Sequence, residues 1–102
     1  METQGMELLA ITQVKLDSQA KTVLIAFRQY ACRLPGLRLC CYMSGKFDFL
    51  LHIAVTDMAA FEGLLTEQLG SFPGIGRVET GFVLQSFPVP EDRTGGVYYL
   101  MN

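Results

Sequence analysis

The run Gly45-Lys46-Phe47-Asp48-Phe49-Leu50-Leu51 holds the residues best placed to do chemistry in this 102-residue chain. A glycine turn feeds an aspartate, and the aspartate opens an alternating apolar strand. That pattern sets a lone carboxylate at a sheet rim, beside backbone that glycine makes easy to approach. The plainer reading is a β-hairpin with one polar residue at its mouth. Other candidates carry less. His52 is the only histidine, and no Cys/His spacing supplies further metal ligands, so it reads as a partly buried structural residue. Gly74-Ile75-Gly76 lacks a following glycine and a phosphate-binding helix, and reads as a loop. Tyr42, Phe47 and Phe49 are aromatic, as in an RNA-stacking sheet, but basic partners are missing. No catalytic apparatus, metal site or cofactor is expected.

The elements around this run follow from periodicity and punctuation. Glu7 to Leu16 reads as a strand, with Leu8, Ala10, Val14 and Leu16 on one side. Asp17 or Ser18 is suited to cap a helix. Ala20, Val23, Leu24, Phe27, Ala31 and Leu34 give that helix an i, i+3, i+4, i+7 stripe, and Pro35-Gly36 ends it. Leu37 to Ser44 and Asp48 to Val55 read as strands. Asp57 caps a second helix that turns Phe61, Leu64, Leu65 and Leu69 inward, with Gly63 weakening it. Phe72-Pro73-Gly74 is a loop, and Ile75 to Phe87 a last strand. Pro88 and Pro90 break regular structure ahead of an apolar patch, Val97 to Met101, that suits docking on a second subunit. The order β-α-β-β-α-β is the ferredoxin-like plan: a four-stranded antiparallel sheet with both helices on one face. One domain spans 1–102, with its core at 7–87 and a tail at 88–102.

Register gives a further expectation. A three-residue turn, Gly45-Lys46-Phe47, pairs Met43 with Phe49 and Ser44 with Asp48. Leu37, Leu39, Cys41 and Met43 then join Phe49, Leu51, Ile53 and Val55 under the helices. The opposite face carries Arg38, Cys40, Tyr42, Ser44, Asp48, Leu50, His52 and Ala54. In this register Cys40 and His52 are cross-strand neighbours, a nucleophile pair in outline, but no orienting third residue or oxyanion motif accompanies them.

Half the residues are hydrophobic, only 18% are charged, and the net charge is −2. One small core cannot hide so much apolar surface, and a leftover face usually becomes a subunit interface. Tyr42, Leu50 and His52 are the residues expected there. No Lys/Arg run offers the basic footprint that phosphates require, so no nucleic-acid binding is expected. No apolar stretch reaches the roughly 20 residues that span a bilayer, and no signal-peptide layout is visible. Reduced thiols at Cys32, Cys40 and Cys41 fit a cytoplasmic location.

Three stretches resemble the regulatory domain of the Lrp/AsnC (leucine-responsive/asparagine-responsive) transcription-factor family. They are Leu34-Pro35-Gly36-Leu37, the Gly45–Leu51 hairpin, and Phe72-Pro73-Gly74-Ile75 followed by Glu79-Thr80-Gly81-Phe82-Val83-Leu84. The resemblance covers residues 7 to 87. It implies a non-catalytic domain that dimerises through its sheets, assembles dimers further, and binds small effectors, often amino acids, near the glycine-aspartate hairpin. Carried over, the effector contacts are Ser44, Gly45, Lys46, Phe47 and Asp48, with Thr80 weaker. A carboxylate suits an ammonium group, and exposed N–H groups at a glycine turn suit a carboxylate. Val78 and Gly81 depart from the family's usual threonine and serine. The family's helix-turn-helix domain has no counterpart ahead of the first strand, so direct DNA binding by this chain is not expected. The same topology also serves dimeric α+β-barrel enzymes such as small cofactor-free monooxygenases. That alternative needs a deep cavity between helices and sheet.

Overall fold

The structure, a computed structural model, describes residues 7–90. The apolar patch at Val97 to Met101 lies outside the described residues. β1 (Leu8–Leu16) turns Ala10, Thr12, Val14 and Leu16 inward on a period of two, as a strand packed on one face must. α1 (Lys21–Ala31) lays Val23, Leu24, Phe27 and Ala31 against the sheet, with Phe27 and Ala31 fully buried. The Phe27 ring lies 4.9 Å from Phe49 and 5.1 Å from Phe72, so one helical side chain joins the sheet to the loop before the last strand. β2 (Leu37–Tyr42) and β3 (Phe49–Val55) follow as a hairpin. α2 (Met58–Gly63) starts at Asp57, whose Oδ1 accepts the Ala60 N–H at 2.8 Å, the cap expected from sequence. The helix widens into a π turn over Leu64–Gln68 and tightens into a 3₁₀ turn over Leu69–Ser71. The i→i+5 winding brings Leu64 and Leu69 inward together. β4 (Ile75–Phe82) is the last regular element among the described residues.

The sheet order is β2-β3-β1-β4, with every pair antiparallel. Both helices pack on the face that holds Ala10, Val14, Leu51 and Ile53. This is the expected ferredoxin-like arrangement. The chain reaches β2 through Gly36, at φ 81°, whose carbonyl accepts the Ala54 N–H at 2.8 Å. A Cβ there would sit 2.3 Å from the Ala54 carbonyl oxygen, so only glycine lets these backbones approach.

Three details differ from expectation. α1 is capped by neither Asp17 nor Ser18. Its N-cap is Ala20, whose own N–H is bonded to Ser18 Oγ at 3.1 Å. The residues before it tie the loop to its neighbours instead: Asp17 N–H reaches the Gly74 carbonyl at 2.7 Å, and Gln19 reaches back to Leu16 O at 2.8 Å. β2 and β4 are also shorter, ending at Tyr42 and Phe82.

The third difference is the hairpin register. Tyr42 pairs with Phe49, Cys41 with Leu50, Cys40 with Leu51 and Leu39 with His52. A bulge at Arg38 then restores Leu37 opposite Ile53. Cys40 and Tyr42 therefore share the helix side with Phe49 and Leu51, while Leu39 and Cys41 share the bare side with Leu50 and His52. Leu39 is half exposed and Met43 is exposed, so neither belongs to the core layer expected of them. The connection holds six residues, 43 to 48, and one bulged residue absorbs the change of parity. Cys40 and His52 lie on opposite faces, which removes the nucleophile pair.

Candidate functional site

The hairpin connection is held from both sides. Met43 N–H donates to the Asp48 carbonyl at 2.9 Å, and Asp48 N–H donates to Val14 O at 2.8 Å. The Asp48 carboxylate turns inward. Its Oδ2 accepts Leu16 N–H at 2.8 Å and Gln19 Nε2–H at 3.0 Å. The β1–β4 ladder shifts register between Lys15 and Leu16, where the carboxylate caps the strand end. Asp48 is thus 6% exposed, and not the open rim carboxylate that the sequence suggested. Phe47 is buried as well, which removes a second expected contact from the surface.

Ser44, Gly45 and Lys46 remain outside. Gly45 adopts φ 108°, and nothing lies within 4 Å of the position its Cβ would take. The backbone at this tip is open to a ligand, as expected from the glycine. Thr80 is elsewhere. It sits on β4, across β1 from the hairpin strand, with its hydroxyl 3.1 Å from that of Thr12 on the helix side of the sheet. Within one chain Thr80 does not join the hairpin tip.

The helix-free face carries Leu9 and Ile11 from β1, Leu39 and Cys41 from β2, and Leu50 and His52 from β3. Toward β4 it becomes polar, with Lys15 opposite Arg77 and an Arg77–Glu79 ion pair at 2.7 Å. Leu50 and His52 lie on this face, as expected. Tyr42 does not: it lies on the helix side, 67% exposed, with its ring 5.4 Å from Phe49.

Tyr42 instead helps line a groove of about 350 Å³ between α1 and the base of the hairpin, with Lys21, Leu24, Ile25, Arg28 and Phe49. This groove escaped the sequence reading. Its signal was present in Lys21, Leu24 and Arg28, spaced i, i+3, i+7 on one helix face. A second cavity, about 330 Å³, lies between α2 and the start of β2 and is walled largely by small residues such as Gly36, Ala54 and Gly63. No group of three or more metal-ligating side chains occurs among the described residues. No described helix is long and apolar enough to cross a membrane.

A family model described as the Lrp/AsnC ligand binding domain matches residues 9–89. The chain belongs to the Lrp/AsnC family. This Lrp/AsnC domain is 32% identical over 73 residues to the Bkd operon transcriptional regulator of Pseudomonas aeruginosa, covering 72% of this chain and 48% of that protein. It is 33% identical over 78 residues to the leucine-responsive regulatory protein of Escherichia coli, covering 76% and 48%. The chain spans about half the length of the curated relatives it matches. Among solved structures, a transcriptional regulator of Neisseria meningitidis in complex with L-Met superimposes with a TM-score of 0.76 at 25% identity, over 94% of this chain and 62% of that one. Escherichia coli AsnC superimposes at 0.75 with 14% identity, over 88% and 59%, which speaks to the Lrp/AsnC domain fold alone.

Proposed function

We propose that this Lrp/AsnC ligand-binding domain is a non-catalytic sensor of a small effector, an amino acid in the first instance, and that it self-associates through its helix-free face. The observation that carries the reading is Gly45, whose φ of 108° and empty surroundings present backbone at the tip of a hairpin held in place from within. Ser44, Gly45 and Lys46 are the contacts of this proposal. Asp48 is a positioning residue that fixes the hairpin through Leu16 and Gln19. The L-Met complex of the Neisseria regulator supports an amino acid as the effector. The names of the relatives, transcriptional regulators, support a role in transcription for the protein that carries this domain. A barrel enzyme of this topology needs open space between helices and sheet. Here Phe27, Leu51, Ile53 and Leu69 are fully buried between helices and sheet, which favours the sensor reading.

Calorimetry across the common amino acids tests the site. One of them should bind, and Gly45→Val should weaken it, because a β-branched residue is strained at positive φ and covers the exposed backbone. Absence of binding by every amino acid would overturn the effector assignment while leaving self-association to stand on sedimentation.

A further inference from the structure

The groove between α1 and the base of the β2–β3 hairpin points to a second ligand class. We infer that it binds an apolar monocarboxylate that carries no amino group, with the acid on Arg28 or Lys21 and the hydrocarbon on Leu24, Ile25, Tyr42 and Phe49. The inference uses none of the residues of the hairpin tip and does not rest on the amino-acid reading.

The lining decides the charge. Its six residues include two cations and no acid. Neither Lys21 nor Arg28 is paired with a carboxylate among the described residues. An ammonium group entering here would meet only like charge, whereas a carboxylate would meet Arg28, whose planar fork suits it in bidentate geometry. Asp48 is not among the lining residues, and its Oδ2 accepts from Leu16 and Gln19. Shape decides the rest. Lys21 and Arg28 stand seven residues apart, about 10.5 Å along the axis, and the apolar wall lies between them. A volume of about 350 Å³ suits one ring or one branched chain, at the small end of ligand sites. Tyr42 and Ile25 remain 67% and 40% exposed, so the described residues leave the apolar wall uncovered. The groove also lies on the helix side, so a partner seated on the opposite sheet face leaves it open.

The experiment titrates the chain with 4-methyl-2-oxopentanoate, with leucine, and with neutral 4-methylpentanamide, using calorimetry and amide chemical shifts. The oxo acid should bind and shift amides of α1 and of Tyr42 and Phe49, and the amide should bind at least about tenfold more weakly. Arg28→Ala and Ile25→Glu, both at exposed positions, should weaken the oxo acid by about tenfold or more, while Gly45→Val should leave it unchanged. No oxo-acid binding to wild type overturns the inference. So does equal binding of acid and amide, or loss in Gly45→Val with retention in Arg28→Ala. Leucine binding that shifts the α1 amides and fails in Arg28→Ala also overturns it, because the lining then accepts an ammonium group.

Discussion

Asp48 accepts Leu16 N–H at 2.8 Å from a nearly buried position, so its removal strands a backbone donor inside the protein. Asp48→Ala should therefore cost about 1–3 kcal/mol of stability, whereas Asp48→Asn, which keeps an acceptor, should cost less. Urea denaturation of the two variants separates this from a purely ligand-contacting role, which would leave both at wild-type stability. Cys40 gives a second test. Burial is the main cause that pushes its thiol up to about 11, with Cys32 and Cys41 adding to it and Arg28 opposing. The unfolded thiol ionises near 9, so Cys40 contributes stability that is complete below about pH 9 and is lost as pH rises toward 11. At pH 8 iodoacetamide should modify the exposed Cys32 while sparing Cys40, and Cys40 should join only near pH 11. Peptide mapping reads both. Equal modification of the two at pH 8 would contradict the burial described.

At the scale of elements, the hairpin register makes a sharp distinction between neighbours. Cys40 faces Leu51 beneath α1, and Leu39 faces His52 on the bare side. Cys40→Lys should unfold the domain or weaken it severely, because it puts an unpaired charge beneath α1. Leu39→Lys should leave the fold intact, with thermal unfolding as the readout. The order of elements was legible because apolar spacing alternates cleanly between two and 3.6, and because Pro35-Gly36 and Pro73-Gly74 mark the breaks. The Asp57 cap was legible for the same local reason. The register was not. In β2 both alternating sets contain apolar residues, Leu37, Leu39 and Cys41 against Cys40 and Tyr42, and the bulge at Arg38 has no glycine to announce it. The inward turn of Asp48 was hidden too, since its partners lie 32 and 29 positions earlier in the chain. At the candidate site, Gly45 was readable from local geometry, whereas Phe47, Asp48 and Tyr42 depended on packing from other elements.

At the scale of the molecule, one face of the sheet carries no helix among the described residues, and Leu9, Ile11, Leu39 and Leu50 lie across it. A second copy placed there would bury the same patch on both partners, as a two-fold dimer requires. Sedimentation at micromolar concentration should give a dimer or a multiple of one, and Leu50→Glu should shift it toward monomer without loss of secondary structure. The acidic balance adds an expectation of its own. Duplex DNA at about 0.15 M salt should show no saturable, sequence-selective binding to this chain, measured by fluorescence anisotropy.

The strand order also sets a timetable for synthesis. β1 is made first yet lies inside the sheet, and its two neighbours arrive at different times. β3 is complete at Val55, but β4 is not complete until Phe82, 27 residues later by subtraction. At roughly 5–20 residues per second, that interval lasts on the order of one to five seconds on the ribosome. Throughout it β1 offers an unpaired edge, with Thr12 still lacking the Thr80 hydroxyl that satisfies it in the finished fold. A nascent chain stalled before β4 is therefore the form of this protein most open to mispairing with another copy.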